Sequence, residues 1–97
     1  MAAYLIALVK VKDPTKLQEY GAAALPTLTA FGGTPVARGK VTAVLAGEHN
    51  ATNSLIAKFP DADAARNWYN SAAYQALIPL RNLALEPTFI VIEEPPA

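Results

Sequence analysis

Two helix starts punctuate this chain at corresponding places. Asp13-Pro14 and Pro60-Asp61 each close a β-rich apolar run, and apolar residues at helical spacing follow each of them. A chain punctuated in this way is built of two strand-then-helix units, and the residues after each helix must supply the strands that complete a sheet. The first run, residues 3–12 (AYLIALVKVK), is apolar almost to its end, which suits a central strand covered on both faces. Beyond Asp13-Pro14, Leu17, Gly21, Ala24, Leu28 and Phe31 carry a helical stripe, with the helix running to about Ala30. Pro26 falls inside that stripe, where it removes a backbone donor and is expected to kink the helix or restart it.

Gly32-Gly33 stops the first helix. Residues 34–38 (TPVAR) are expected as a short strand, Gly39-Lys40 as the tightest point, and 41–46 (VTAVLA) as another strand, the two forming one bulged ribbon or a hairpin. Residues 47–53 (GEHNATN) are the most polar stretch and read as a surface loop, leading into a strand at 54–59 (SLIAKF). In the second helical region Ala65, Tyr69, Ala72 and Ala76 mark an apolar stripe. Asn70-Ser71 interrupts it, with Ser71 capping a further segment that continues past Pro79 toward Leu85. Glu86-Pro87 ends the helix, and residues 88–94 (TFIVIEE) form the last strand.

The order β, α, β-β, α, β predicts an α+β, ferredoxin-like βαββαβ fold: a four-stranded antiparallel sheet with two helices on one face, as a single domain over residues 1–97. The other face of such a sheet is left uncovered. Two copies packed sheet to sheet would bury it and enclose a cavity, so a homodimer, a dimeric α/β barrel, is expected. Composition points the same way: 53% apolar and 16% charged residues leave more apolar surface than so short a chain hides alone. Eight basic and eight acidic residues, without a Lys/Arg run, give no footprint for nucleic acid. The absence of cysteine excludes disulfides, thiol catalysis and thiolate metal sites. Met1 is followed by no basic segment, and the longest apolar run, residues 2–9, is far too short to span a bilayer. No membrane association and a cytoplasmic location are therefore the expectations.

Chemistry has few places to sit. Strand alternation puts Tyr4, Ile6, Leu8 and Lys10 on one side, as it does Val36 with Arg38, Ile56 with Lys58, and Phe89, Val91 and Glu93. If these sides form the helix-free face, Tyr4, Lys10, Arg38, Lys58 and Glu93 ring an aliphatic chamber; the plainer reading is solvated strand-end charge. His49, the single histidine, stands beside Glu48 in the polar loop, and the pair are the candidate proton carriers, although a lone loop histidine is usually surface. No H-x-x-H or H-E-x-x-H pattern exists, so no metal is predicted, and no cofactor. Trp68, Tyr69 and Tyr74, with Tyr20 on the first helix, are candidate pocket residues; aromatics at such spacing are more often packing. Arg81 joins them as a ligand-binding candidate, against the plainer reading of a cation at a helix C-terminus. Phosphate-cradling and nucleophile-elbow motifs are absent.

The spaced pattern Phe59-Pro60-Asp61, Ala64-Ala65-Arg66, Trp68-Tyr69, Ser71, Tyr74-Gln75-Ala76-Leu77 and Pro79-Leu80-Arg81 resembles domain-of-unknown-function family 1330. Agreement extends to the Tyr4 to Val11 strand, Glu19-Tyr20, Pro26, Gly33 and Arg38-Gly39, nearly the whole chain. The resemblance implies a ferredoxin-like fold in the dimeric α/β-barrel superfamily. Relatives there include monooxygenases, haem-degrading, dechlorinating and decarboxylating enzymes and stress-response proteins that use the inter-sheet cavity. Two positions depart from the family pattern: Lys40 replaces a second glycine after Arg-Gly, and Ala72-Ala73 replaces a Pro-acidic pair.

The residues name no reaction. The leading expectation is a dimer that binds a small, partly apolar organic molecule in the inter-sheet cavity, with cofactor-independent chemistry as its extension. Arg38 would anchor an anionic group, and Tyr20, Trp68 and Tyr74 would shape the pocket. The alternative is a non-catalytic structural or interaction dimer whose interior is filled by its own side chains. A third reading, haem handling or monooxygenase-like chemistry, rests on His49 and the superfamily.

Overall fold

A computed structural model of the chain describes residues 1–96. Four strands, β1 (Ala3–Val11), β2 (Thr34–Lys40), β3 (Asn53–Phe59) and β4 (Leu85–Glu93), form one antiparallel sheet in the order β2-β3-β1-β4. The first helix, α1 (Pro14–Ala30), connects β1 to β2; α2 (Ala62–Asn70), α3 (Ala72–Gln75) and α4 (Ile78–Ala84) connect β3 to β4. This is the ferredoxin-like α+β fold, with β1 central as its long apolar run requires. Ala3, Leu5 and Ala7 of β1, Ala57 and Phe59 of β3 and Leu85 of β4 are buried beneath the helices. Leu5, Ala57, Phe59 and Leu85 share a core with Tyr20, Leu28, Ala65, Trp68, Tyr74 and Ala84.

Local chemistry sets the element ends. Asp13 caps α1 by accepting from the amides of Thr15 and Lys16 at 3.0 and 3.2 Å, with Pro14 at the start of the helix. The far end closes with two backbone bonds, Gly32 N to Thr29 O at 3.0 Å and Gly33 N to Leu28 O at 3.0 Å. Gly32 makes this closure possible by adopting a φ of 81°.

Several sequence expectations are corrected. α1 runs through Pro26 as one helix and does not restart there. β2 continues through Gly39 and Lys40, which pair with Ser54 and Asn53 of β3, so this point is strand and not turn. Residues 41–46 are not a strand: Val44 and Leu45 are exposed and have no neighbouring strand to lie against. Strand propensity measures fit to a half-buried pleated surface, and beyond Lys40 that surface is missing. The second helical region is three pieces. Ser71 ends α2 and starts α3, and Pro79 lies in the first turn of α4 rather than in a helix interior. β4 begins at Leu85 and takes in Pro87 opposite Val9, which an edge strand tolerates.

Register also corrects the assignment of faces. Phe89 lies opposite Ala7, Val91 opposite Leu5 and Glu93 opposite Ala3, so all three belong to the helix side. Glu93 Oε2 accepts from the amide of Ala62 at 3.4 Å. A bulge between Pro35 and Ala37 places Arg38 opposite Leu55, itself opposite Ala7, and so on the helix side of an exposed edge strand. The helix-free face carries Tyr4, Ile6, Leu8 and Lys10 with Ile56 and Lys58 of β3, and Glu86, Thr88, Ile90 and Ile92 of β4. Its centre is aliphatic, and Ile90 and Ile92 remain 49% and 50% exposed.

Candidate functional site

Five of the sequence candidates meet on the helix side of the sheet. Asp61 starts α2 by accepting from the amide of Ala64 at 2.7 Å, which brings Trp68 and Tyr69 to the last turn of that helix. Ser71 then redirects the chain: its Oγ donates to Trp68 O at 2.7 Å and accepts from the Tyr74 amide at 3.2 Å. That turn folds Tyr74 back onto Trp68, with ring centroids 4.4 Å apart, and sets it 5.2 Å from the Tyr69 ring. Tyr20 arrives from α1, and its hydroxyl and that of Tyr74 are 2.8 Å apart. Arg81 arrives from α4, and its Nη1 donates to the hydroxyls of Tyr69 at 3.1 Å and Tyr74 at 3.2 Å. The result is a continuous chain of side chains from Tyr20 through Tyr74 and Arg81 to Tyr69. Trp68 Nε1 donates to Thr27 Oγ1 at 3.1 Å and so ties α2 to α1.

Beside this chain a cleft of about 430 Å³ opens between α2, α4 and the sheet, lined by Leu5, Trp68, Tyr69, Arg81, Phe89 and Val91 among others. It lies on the helix side, opposite to the face on which an inter-sheet cavity would form. The guanidinium carbon of Arg81 is 5.7 Å from the centre of the Phe89 ring and 6.0 Å from that of Tyr69.

Sequence reasoning missed Phe89, Val91, Pro87, Asn70 and Arg66 as cleft residues. The β4 residues follow only from register, which periodicity does not supply. Arg66 and Asn70 stand four apart on α2, a spacing that puts them on one helix face and was a usable signal.

The remaining candidates lie elsewhere. Arg38 is exposed on β2 and does not line the cleft. Glu48 and His49 border a separate, open depression with Val44, Gly47 and Asn50, and His49 Nδ1 accepts from the amide of Ala51 at 2.9 Å. No group of three His, Asp or Glu side chains gathers for a metal among the described residues.

Burial governs the electrostatics of the chain. The Tyr20 phenol is held far above its ordinary value of 10.0 by removal from water, reinforced by the neighbouring Tyr74 hydroxyl. For Arg81, burial works against the charge, but the hydrogen bonds to Tyr69 and Tyr74 outweigh it and the pKa rises. A consequence for stability follows from Tyr20. Below pH ~10 it is protonated in both states; above that the unfolded chain releases a proton that the native state keeps, so stability falls as pH rises. The slope reaches at most about 1.4 kcal/mol per pH unit for one group. Urea unfolding between pH 9 and 11 is expected to show a shallower decline for Tyr20→Phe than for the parent, and equal declines would contradict this account.

A family model described as a domain of unknown function (DUF1330) matches residues 2–95. The chain belongs to that family. Among proteins of curated function, none matches the DUF1330 chain significantly in sequence. Solved structures match it in fold. A protein of unknown function from Rhodopseudomonas palustris aligns with a TM-score of 0.76 at 20% identity, covering 99% of this chain and 84% of that one. SnoaB from Streptomyces nogalater, described as a cofactor-independent oxygenase, aligns with a TM-score of 0.71 at 11% identity, covering 99% and 95%. A dimeric protein of unknown function and ferredoxin-like fold from Bacteroides fragilis aligns with a TM-score of 0.61 at 16% identity, covering 96% of each. At these identities the similarity establishes the fold of the DUF1330 chain and leaves its activity to be argued from the site. None of its helices is long and apolar enough to cross a membrane.

Proposed function

We propose that this protein is a homodimer whose helix-side cleft binds a small, partly apolar organic molecule. The observation that carries the reading is the cleft itself: about 430 Å³, walled by Trp68, Phe89, Val91 and Leu5, with Tyr69 and Arg81 as the polar groups that orient an occupant. Its size and its mixture of apolar walls with few polar groups are those of small-molecule sites, which run from about 300 to 1,000 Å³. Cofactor-independent chemistry on the bound molecule is the extension of this reading, supported by the shared fold of SnoaB, itself described as a cofactor-independent oxygenase.

The dimer half of the proposal rests on the uncovered sheet face. Ile6, Leu8, Ile56, Ile90 and Ile92 form an aliphatic centre, with Lys10 registered against Glu86 at one end and Lys58 beside Tyr4 at the other. Such a patch, apolar in the middle and bearing both signs of charge at its rim, is complementary to its own copy. The description of the Bacteroides fragilis neighbour as dimeric supports pairing of two copies.

Native mass spectrometry of the freshly purified protein tests both halves. The expected spectrum is a dimer carrying a discrete additional mass; a monomer would defeat the assembly. Ile90→Asp, which places a charge at the centre of the patch on a half-exposed side chain, is expected to convert the dimer to a folded monomer in sedimentation analysis.

A further inference from the structure

We infer that the occupant of the cleft is an organic anion, a flat aromatic carboxylate, held by Arg81. This rests on the reading of the cleft as a ligand site and specifies what that site selects.

Arg81 is only 8% exposed, yet no carboxylate neutralises it. The ion pairs among the described residues are Lys16–Glu19 and Asp63–Arg66, both on the surface. Its protein partners are neutral: the two phenols, and Asn82 Oδ1, which accepts from Nε at 3.4 Å. Neutral acceptors orient a guanidinium without cancelling its charge, and a buried charge lacking a counter-charge is costly to keep. Nη2 has no partner among the described residues. It is not sealed from solvent either, and Arg81 lines the cleft.

The remaining walls agree. The cleft is lined by two arginines, Arg66 and Arg81, and by no Asp or Glu. Tyr69 accepts the Arg81 hydrogen bond with its oxygen, which leaves its own hydrogen for a further acceptor. Two donors on neighbouring cleft residues therefore seek oxygens, and the planar guanidinium matches a carboxylate edge to edge. Tyr69 and Phe89, both partly exposed, offer aromatic surface for a flat body.

The test compares 2-naphthoate with the neutral, near-isosteric 2-naphthamide at pH 7. Calorimetry gives the affinity, and the NMR signal of the Trp68 indole N–H, the one tryptophan, reports occupancy of the cleft. Naphthoate is expected to bind the parent protein at least about ten-fold more tightly than naphthamide, in line with a charge-assisted bond. Arg81→Met is expected to remove that preference while leaving naphthamide within about two-fold. Equal affinity of both probes for the parent would overturn the anion assignment while leaving the cleft reading in place. If neither probe shifts the Trp68 signal, the cleft reading falls and this inference with it. The parent comparison needs no substitution, so a poorly folding Arg81→Met would not remove the test.

Discussion

Replacing Tyr74 with alanine is expected to lower stability by about 3–5 kcal/mol, the range for removing a fully buried aromatic ring. Tyr74 is 0% exposed and sits where three packing arrangements meet: tilted against Trp68 and Tyr69, and edge-on to Tyr20 at 6.4 Å. Truncation would empty the space between α1 and α3, strand the Tyr20 hydroxyl and leave Arg81 Nη1 with the Tyr69 oxygen alone. Domains of this kind hold only about 5–15 kcal/mol in total, so the variant should be close to unfolding at ambient temperature. Urea denaturation with an unchanged m-value is the check. Tyr74→Phe keeps the ring and loses only the hydroxyl, so a smaller cost of about 1–3 kcal/mol is expected. If the alanine variant costs no more than the phenylalanine one, the ring is not the packing centre described above.

Gly33→Ala is expected to be nearly as informative, at about 1–3 kcal/mol of overpacking. A Cβ there would lie 2.6 Å from Leu28 Cγ, 2.9 Å from Leu28 O and 3.0 Å from Phe59 Cε1. These neighbours cannot retreat easily. Leu28 and Phe59 are 4% and 1% exposed, and Leu28 O is the acceptor that closes α1 through the Gly33 amide. Gly21→Ala provides the opposite sign in the same measurement. It lies on an exposed stretch of α1 with nothing within 4 Å of the added carbon, and there alanine should stabilise by about 0.5–1 kcal/mol. A Gly33 substitution as harmless as the Gly21 one would contradict the close approach of α1, β2 and β3.

The contrast between these two glycines also shows what the sequence could tell. Local punctuation was readable: Asp13-Pro14, Gly32-Gly33, Asp61 and Ser71 each start or stop an element where their side chains or backbone freedom suggest. Long-range pairing was not. Residues 41–46 have strand propensity but no strand to meet, and the bulge at Pro35/Ala37 turned Arg38 away from the face that simple alternation gives it. Phe89 and Val91 changed sides for the same reason: register against β1 fixes their parity, and nothing local in 88–94 does.

The site divides along the same line. Aromatic spacing drew attention to Trp68, Tyr69, Tyr74 and Tyr20, and the fold brings those four together. Their position between helices and sheet, and the burial of Arg81 among them, depend on the direction the chain takes after Ser71 and Leu77, which composition does not reveal. From sequence, an arginine near a helix end looks like an ordinary surface cation.

The long connection between β2 and β3 has a practical side. Its ends are pinned by the bonds from Val41 N to Thr52 O and from Thr52 N to Val9 O, both 2.8 Å, while Leu45 between them is 97% exposed. Lengthening a connection already closed in this way costs little, about 0.6 kcal/mol for each doubling. Gly47, whose positive φ marks a turn with open space around it, is thus a natural point at which to graft an epitope, a purification tag or a small guest domain. The host sheet, its register and the aromatic cluster beneath it would carry such cargo unchanged.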